Sequence, residues 1–175
     1  QPGTIPWDIY DVDIVIDATG RFLKKSDLAM HLDSGAKKVF TTRNPQEKID
    51  RYVIPGINDS AIDSSDRIIS TTSSTTQVLA LMLKMLDESF GLERAMMTTV
   101  HAYTADQPLA DAAGLDLRRS RSAAENIIPN STFAPSIVEE IMPKFKGKID
   151  GIAFNVPVPN GSCVDLTTEL RKTPT

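Results

Sequence analysis

The sequence predicts an α/β protein, and two observations carry the prediction. Over the first seventy residues, short β-branched runs alternate with a helical segment and turn residues, the pattern of parallel strands joined by crossovers. After residue 90 the segments "ERAMMTTVHAYTAD", "DGIAFNVPVP" and "SCVDLTTEL" read as strands, the last two of the alternating type expected in an antiparallel or mixed sheet.

Each element has a local justification. "DVDIVIDATG" (Asp11 to Gly20) alternates into a β-branched run and ends in small residues, so it reads as a strand followed by a ligand-facing loop. "SDLAMHLDSG" supplies the next helix, with Ser26 as the expected N-cap and Gly35 as the stop. "AKKVFTT", "RYVIPGIND" and "DRIIS" then read as short strands, the second with a turn. Thr75 to Phe90 is apolar around most of a helical circumference and is stopped by Gly91, which predicts a buried helix. Residues 105 to 126 lack periodicity, and a loop of that length in a compact domain is usually functional. "APSIVEEIMPKF" is helical. The chain lacks an initiating Met, enters a strand pattern at once and stops just after another, so a fragment is expected.

Composition narrows the function classes. The 175 residues are 41% hydrophobic and 24% charged, as in globular proteins, with a formal net charge of -4. No overall positive field attracts nucleic acid or an anionic membrane surface, so any bound anion must be gripped locally. Cys163 is the only cysteine, which excludes an internal disulfide, a Cys-built zinc site and a CxxC redox pair. It reads as a small core residue. No apolar run approaches the ~20 residues that span a bilayer. A soluble, cytoplasmic protein without nucleic-acid or membrane partners is the expectation.

The chemistry concentrates at "STTSSTTQVLA" (residues 70 to 80), where a strand gives way to the long helix. Backbone N–H groups at a helix start are unpaired and electropositive, so Ser74 is well placed to act as a nucleophile or to lie beside an oxyanion. His101, in "TTVHAYTADQ", is the candidate general base if its strand returns beside the helix. The plainer reading of the same residues is a Ser/Thr N-cap and a structural histidine. No metal-ligand spacing is present. His31 reads as a surface helix residue, Trp7 as packing near the first strand, and Tyr103 as pocket wall.

"STTSSTTQ" resembles the S-N-A-S-C-T-T-N active-site segment of the glyceraldehyde-3-phosphate dehydrogenase family. The resemblance continues through "TTVHAYTADQ", "LRRSRSAAENIIPNST", "GKIDGIAFNVPVPN" and "VDLTTEL" in the family's order and spacing, with "DIVIDATGRF", "HLDSGAKKV" and "GIND" upstream. It implies the later half of a doubly wound NAD-binding domain over residues 1–73 and an α+β catalytic domain with a mixed sheet over residues 74–175. It also implies the family's glycolytic chemistry. A thiolate adds to a phosphorylated aldehyde, hydride passes to NAD (or NADP), and inorganic phosphate releases the acyl group in a homotetramer.

Carried over residue by residue, the resemblance makes Ser74 the counterpart of the nucleophilic Cys, with His101 retained. Thr104, Asp106 and Arg119 match residues that hold the substrate phosphate and its neighbouring hydroxyl. Ser73, Thr75 and Thr132 match phosphate-site positions. Phe133 stands where the family has Gly, and Asn155 where it has an Arg shared by both pockets. Thr19 and Gly20 match a turn against the dinucleotide and Thr42 a Ser contacting it, whereas Arg43 and Asn44 replace the usual Ala-Pro. Gln77 replaces an Asn. The Gly-rich phosphate fingerprint and the acidic ribose ligand are absent from this sequence.

An alcohol is several pKa units less acidic than a thiol, so Ser74 is expected to lose or change the family activity. Three readings follow: a dehydrogenase carrying an engineered Cys→Ser trap, a divergent non-catalytic homologue with a binding or assembly role, and a Ser–His hydrolase.

Overall fold

The computed structural model describes residues 1–173, and the chain divides into two compact units, one over residues 1–77 and the other beginning at residue 78. The first holds a four-stranded parallel sheet: β1 (Ile14–Asp17), β2 (Lys38–Thr41), β3 (Arg51–Tyr52) and β4 (Ile68–Ser70), in the order β1-β2-β4-β3. Parallel neighbours cannot be joined by a tight turn, and α1 (Lys25–Asp33) supplies the crossover from β1 to β2. Leu28 of α1 packs with Val39, Ile49 and Ile68, flanked by Phe22, Ala29, Leu32 and Tyr52, as the core between helix and sheet.

Two carboxylates tie the far side of this sheet together. Asp66 receives the guanidinium of Arg51 on both oxygens, at 2.7 and 3.1 Å, and the Asp63 N–H at 2.8 Å. Asp50 accepts the N–H groups of Arg67 and Ile68 and the ammonium of Lys25.

The second unit is a mixed sheet of β5 (Leu92–Ala102), β6 (Ile128–Asn130), β7 (Ile149–Val156) and β8 (Ser162–Leu170), in the order β6-β7-β5-β8. Strand β5 runs parallel to β7 and antiparallel to β8, and α3 (Ala134–Ile141) packs on β7. The α/β reading with a mixed second sheet therefore holds. Strand β6 is too short for a periodicity signal and went unforeseen. Helix α2 (Ser74–Phe90) follows β4 and ends at Gly91, whose φ of +73° only glycine adopts without strain.

Four local expectations are corrected. Ser26 lies inside α1: the N-cap is Lys24, without a side-chain cap bond, and Glu47, distant in sequence, accepts the Lys25 N–H instead. His31 is buried, because α1 turns that face toward Trp7 and the end of β1. Helix α2 is not covered all round, since Leu79, Ala80 and Leu83 are buried while Val78, Leu81 and Met85 remain exposed. Cys163 is exposed on β8, on the face of the sheet left uncovered in this chain.

Candidate functional site

In a parallel sheet, ligands gather at the carboxyl ends of the strands. In the first unit the ends of β1, β2 and β4 are tied to one another there. The Thr42 N–H donates to Asp17 O, the Thr71 N–H to Thr41 O, and the Ser70 hydroxyl to Arg43 O at 2.8 Å. Thr19 and Thr42 are exposed and Gly20 half-buried, so all three expected cofactor-contact residues line this end.

The turn carrying Thr19 is held from beneath by a buried polar chain that the sequence did not disclose. Asp17, 4% exposed, accepts both the N–H and the hydroxyl of Thr19 on Oδ1, at 2.8 and 2.7 Å. Its Oδ2 makes no hydrogen bond and lies 3.6 Å from His31 Nε2. On the far side of the ring, Trp7 Nε1–H donates to His31 Nδ1 at 3.1 Å. Since Nδ1 accepts, the neutral imidazole carries its proton on Nε2, facing the carboxylate. An Asp closing an apolar strand two residues before a Thr is a local Asx-turn signal, but its helix and tryptophan partners come from elsewhere in the chain.

Strand β4 passes into α2 through a strained residue. Thr72 is buried with φ +64°, a left-handed conformation unfavourable for a β-branched side chain, and its N–H is taken up by Ser70 Oγ at 2.9 Å. Ser73 then caps the helix: its Oγ accepts the Thr76 N–H at 3.2 Å and lies 2.8 Å from Thr76 Oγ1. Gln77 Nε2 donates back to Thr71 O at 2.7 Å. Ser74 is thereby the first helical residue, exposed, with Thr75 following it. The cap falls on Ser73, which leaves the Ser74 hydroxyl outside the capping role.

In the second unit, His101 lies at the carboxyl end of β5, in register with Asn155 of β7 and Ser162 of β8. The Asn155 amide is committed to the sheet. Its Nδ2 donates to Ala102 O at 3.2 Å, and its Oδ1 faces Asn130 Nδ2 at 3.4 Å. It therefore presents no cation where the resembled pattern has an Arg.

The Thr132 hydroxyl accepts the Ala134 N–H at the start of α3, and Phe133 extends into solvent, 68% exposed. The loop after β5 closes on itself. Thr104 Oγ1 donates to Asp106 Oδ1, and Arg119 Nη2 donates to Asp106 Oδ2 at 2.7 Å. The Thr104 hydroxyl first, then the residue's own backbone N–H and the Arg119 charge, hold the Asp106 carboxyl below the usual aspartate range against the opposing effect of burial. Asp106 and Arg119 border a cleft of about 470 Å³. Gln107, largely buried in its wall, accepts the Thr104 N–H on Oε1. Thr104, Asp106 and Arg119 are thus brought together within the second unit, as are His101 and Asn155. Ser73, Ser74, Thr75 and the Thr19–Thr42 group belong to the first unit. Among the described residues no cluster of His, Cys, Asp or Glu could hold a metal ion, and no helix is long and apolar enough to cross a membrane.

Residues 73–175 match the family described as glyceraldehyde 3-phosphate dehydrogenase, C-terminal domain. The glyceraldehyde-3-phosphate dehydrogenase of Mycobacterium avium is 48% identical over 171 residues, covering 98% of this chain and 50% of that protein. That of Streptomyces coelicolor is 47% identical over 173 residues, covering 98% and 51%, and that of Mycobacterium leprae 45% over 171 residues, covering 98% and 50%. The chain thus spans about half the length of the curated relatives it matches. With an α/β fold of this construction and a match over more than half its residues, the chain belongs to the glyceraldehyde 3-phosphate dehydrogenase family.

Proposed function

We propose that the protein is a dehydrogenase homologue that keeps the family's binding surfaces and has lost its thiolate chemistry. The observation that carries the reading is Ser74: an alcohol, not a thiol, occupies the first residue of α2. A thiol starts near pKa 8.5, close enough to neutrality for a helix start to ionise an appreciable fraction, whereas an alcohol stays protonated. His101 could remove that proton only transiently, and an acyl ester lacks the ready transfer to phosphate of a thioester. Asn155 and Phe133 support the same reading. One has its amide committed to the sheet, and the other places a ring where a backbone N–H would have to approach an oxyanion.

In this reading residues 1–73 contribute the later half of a dinucleotide domain and residues 74–175 the catalytic domain. Thr19, Gly20 and Thr42 hold the dinucleotide. Their fit is supported by a turn already fixed by Asp17, with the Arg43 guanidinium against the face where Gly20 carries no side chain. NAD, or NADP, supplies the hydride acceptor when bound. Thr104, Asp106 and Arg119 hold a phosphorylated or polyhydroxy ligand through charge-assisted bonds, which requires Asp106 to release Arg119. Ser73, Thr75 and Thr132 are remnants of the attacking-phosphate site, with at least one hydroxyl engaged as a helix cap. A cytoplasmic homotetramer, without nucleic-acid or membrane partners, is the assembly proposed by resemblance.

The test is NADH formation from glyceraldehyde 3-phosphate and inorganic phosphate by the full-length protein. No turnover is expected with Ser74, and none with Ser74→Cys until Phe133→Gly and Asn155→Arg are added. Full recovery with Ser74→Cys alone would replace this reading with the trap, and activity of the unaltered protein would refute it.

A further inference from the structure

The turn from β7 to β8 (residues 157–161) carries the only asparagine–glycine pair in the sequence, Asn160–Gly161. Both residues are exposed, and the Asn160 amide makes no hydrogen bond among the described residues. Gly161 has a φ of +89°, and a methyl group built on it would meet nothing within 4 Å. Its N–H is likewise without an acceptor among the described residues, while its carbonyl accepts the Ala102 N–H at 3.0 Å. An uncommitted side-chain amide therefore precedes an uncommitted, unhindered main-chain nitrogen.

The other five asparagines are each held or blocked. Asn44 precedes Pro45, which has no N–H. Asn58 accepts the Ile54 N–H on Oδ1 and donates from Nδ2 to Tyr52 O, both at 2.8 Å. Asn126 donates to Ser122 O at 2.9 Å, and the branched Ile127 follows it. Asn130 and Asn155 are strand residues whose amides face each other at 3.4 Å, and Asn155 also donates to Ala102 O. Only Asn160 combines a free amide with a following glycine.

We propose that Asn160–Gly161 is a site of spontaneous deamidation through a cyclic imide. The Gly161 nitrogen, losing its proton, attacks Asn160 Cγ. The N–Cγ bond forms as the Cγ–Nδ2 bond breaks, and Nδ2 leaves as ammonia. Water then opens the imide, giving aspartate where the bond to Cγ breaks and isoaspartate where the bond to the main-chain carbonyl carbon breaks. The step consumes only water, and either product carries a new carboxylate. Isoaspartate also routes the main chain through Cγ, which adds a methylene just before Gly161. The Gly161 carbonyl holds the N–H of Ala102, the residue after His101, so the modification charges and lengthens the turn that fixes this end of β5.

The test is peptide mapping of the full-length protein after incubation at neutral and at mildly alkaline pH. Asn160 should convert to a mixture of aspartate and isoaspartate ahead of the five asparagines named above, and faster at the higher pH because the attacking nitrogen must lose a proton. An isoaspartyl methyltransferase should label the product, hydroxylamine should cleave the chain after Asn160, and isoelectric focusing should show an acidic shift of one charge. Asn160→Gln should abolish the label and the cleavage. As a change to an exposed side chain without a bond, it should leave the circular dichroism unaltered. In urea, Asn58 and Asn126 should convert faster while Asn160 changes little, because the fold restrains only the first two. Amide exchange at Ala102 should be faster in the isoaspartyl form. An Asn160 that stays an amide, or that converts no faster than Asn58 in the folded protein, would overturn the site. A gain in urea as large for Asn160 as for Asn58 would overturn the freedom assigned to the folded turn, and unchanged exchange at Ala102 would overturn its link to β5.

Discussion

Replacing Ser74 by Cys tests what the start of α2 contributes electrostatically. Helix α2 has 17 residues, so at ~1.5 Å rise per residue it is about 25 Å long and carries a fully developed macrodipole. Ser74 is its first residue and is exposed, which places a thiolate there in the range of about 0.3–1 kcal/mol of stabilisation. Divided by ~1.36 kcal/mol per pKa unit, that lowers a thiol from ~8.5 to roughly 7.8–8.3. The thiolate fraction at pH 7 rises from about 3% to about 5–14%. The assay is the pH dependence of iodoacetamide alkylation in a Cys163→Ser background, because Cys163 is exposed and would react too. A midpoint at or above 8.5 would mean that the helix amides do not act on position 74, and would remove the physical basis for treating it as the reaction centre. His101→Ala in the same background tests whether the imidazole lowers the midpoint further.

Three further outcomes follow from the packing. Asp66 is held below the usual aspartate range, first by the Arg51 guanidinium and then by the Asp63 N–H. Its contribution is therefore complete above the unfolded carboxyl pKa of ~4 and fades as pH falls through the lower folded value. Asp66→Asn should cost about 2 kcal/mol in urea unfolding at pH 7 and flatten the acid limb of the stability profile, whereas an unchanged profile would refute the assignment. His31→Leu leaves the Trp7 indole N–H without its acceptor and Asp17 Oδ2 without its neighbour. It should destabilise by about 3 kcal/mol and shift the Trp7 emission, and a cost under ~0.5 kcal/mol would show that the buried chain is not coupled. Gly35→Ala would place a methyl group 2.6 Å from the backbone nitrogen of Asp8 at a φ of +106°. A loss of about 2–3 kcal/mol, read as a lower melting temperature, is expected, and a stable variant would contradict that packing.

Much of the fold was legible because period and punctuation are local properties. The β-branched run before Asp17, the apolar helix stopped by Gly91 and the alternating β8 each carry their own signal. The helix start within the Ser/Thr cluster was legible for the same reason, since a cap needs only residues three positions apart, although the helix begins at Ser74 rather than Thr75 and Ser73 is its cap. Where a partner is distant, the local reading went astray. Ser26 resembles a cap, but Glu47 does the capping; His31 resembles a surface residue, but Trp7 and Asp17 enclose it.

The candidate site divides along the same line. The sequence by itself determined which functional groups are present: an alcohol at position 74, an imidazole at 101, an amide at 155 and a guanidinium at 43. Only the tertiary structure decided what those groups are available to do. Asn155 is bound into its sheet, Arg119 is held by Asp106, and Arg43 lies against Gly20, because hydrogen bonding, burial and charge pairing depend on neighbours that the chain brings together only on folding.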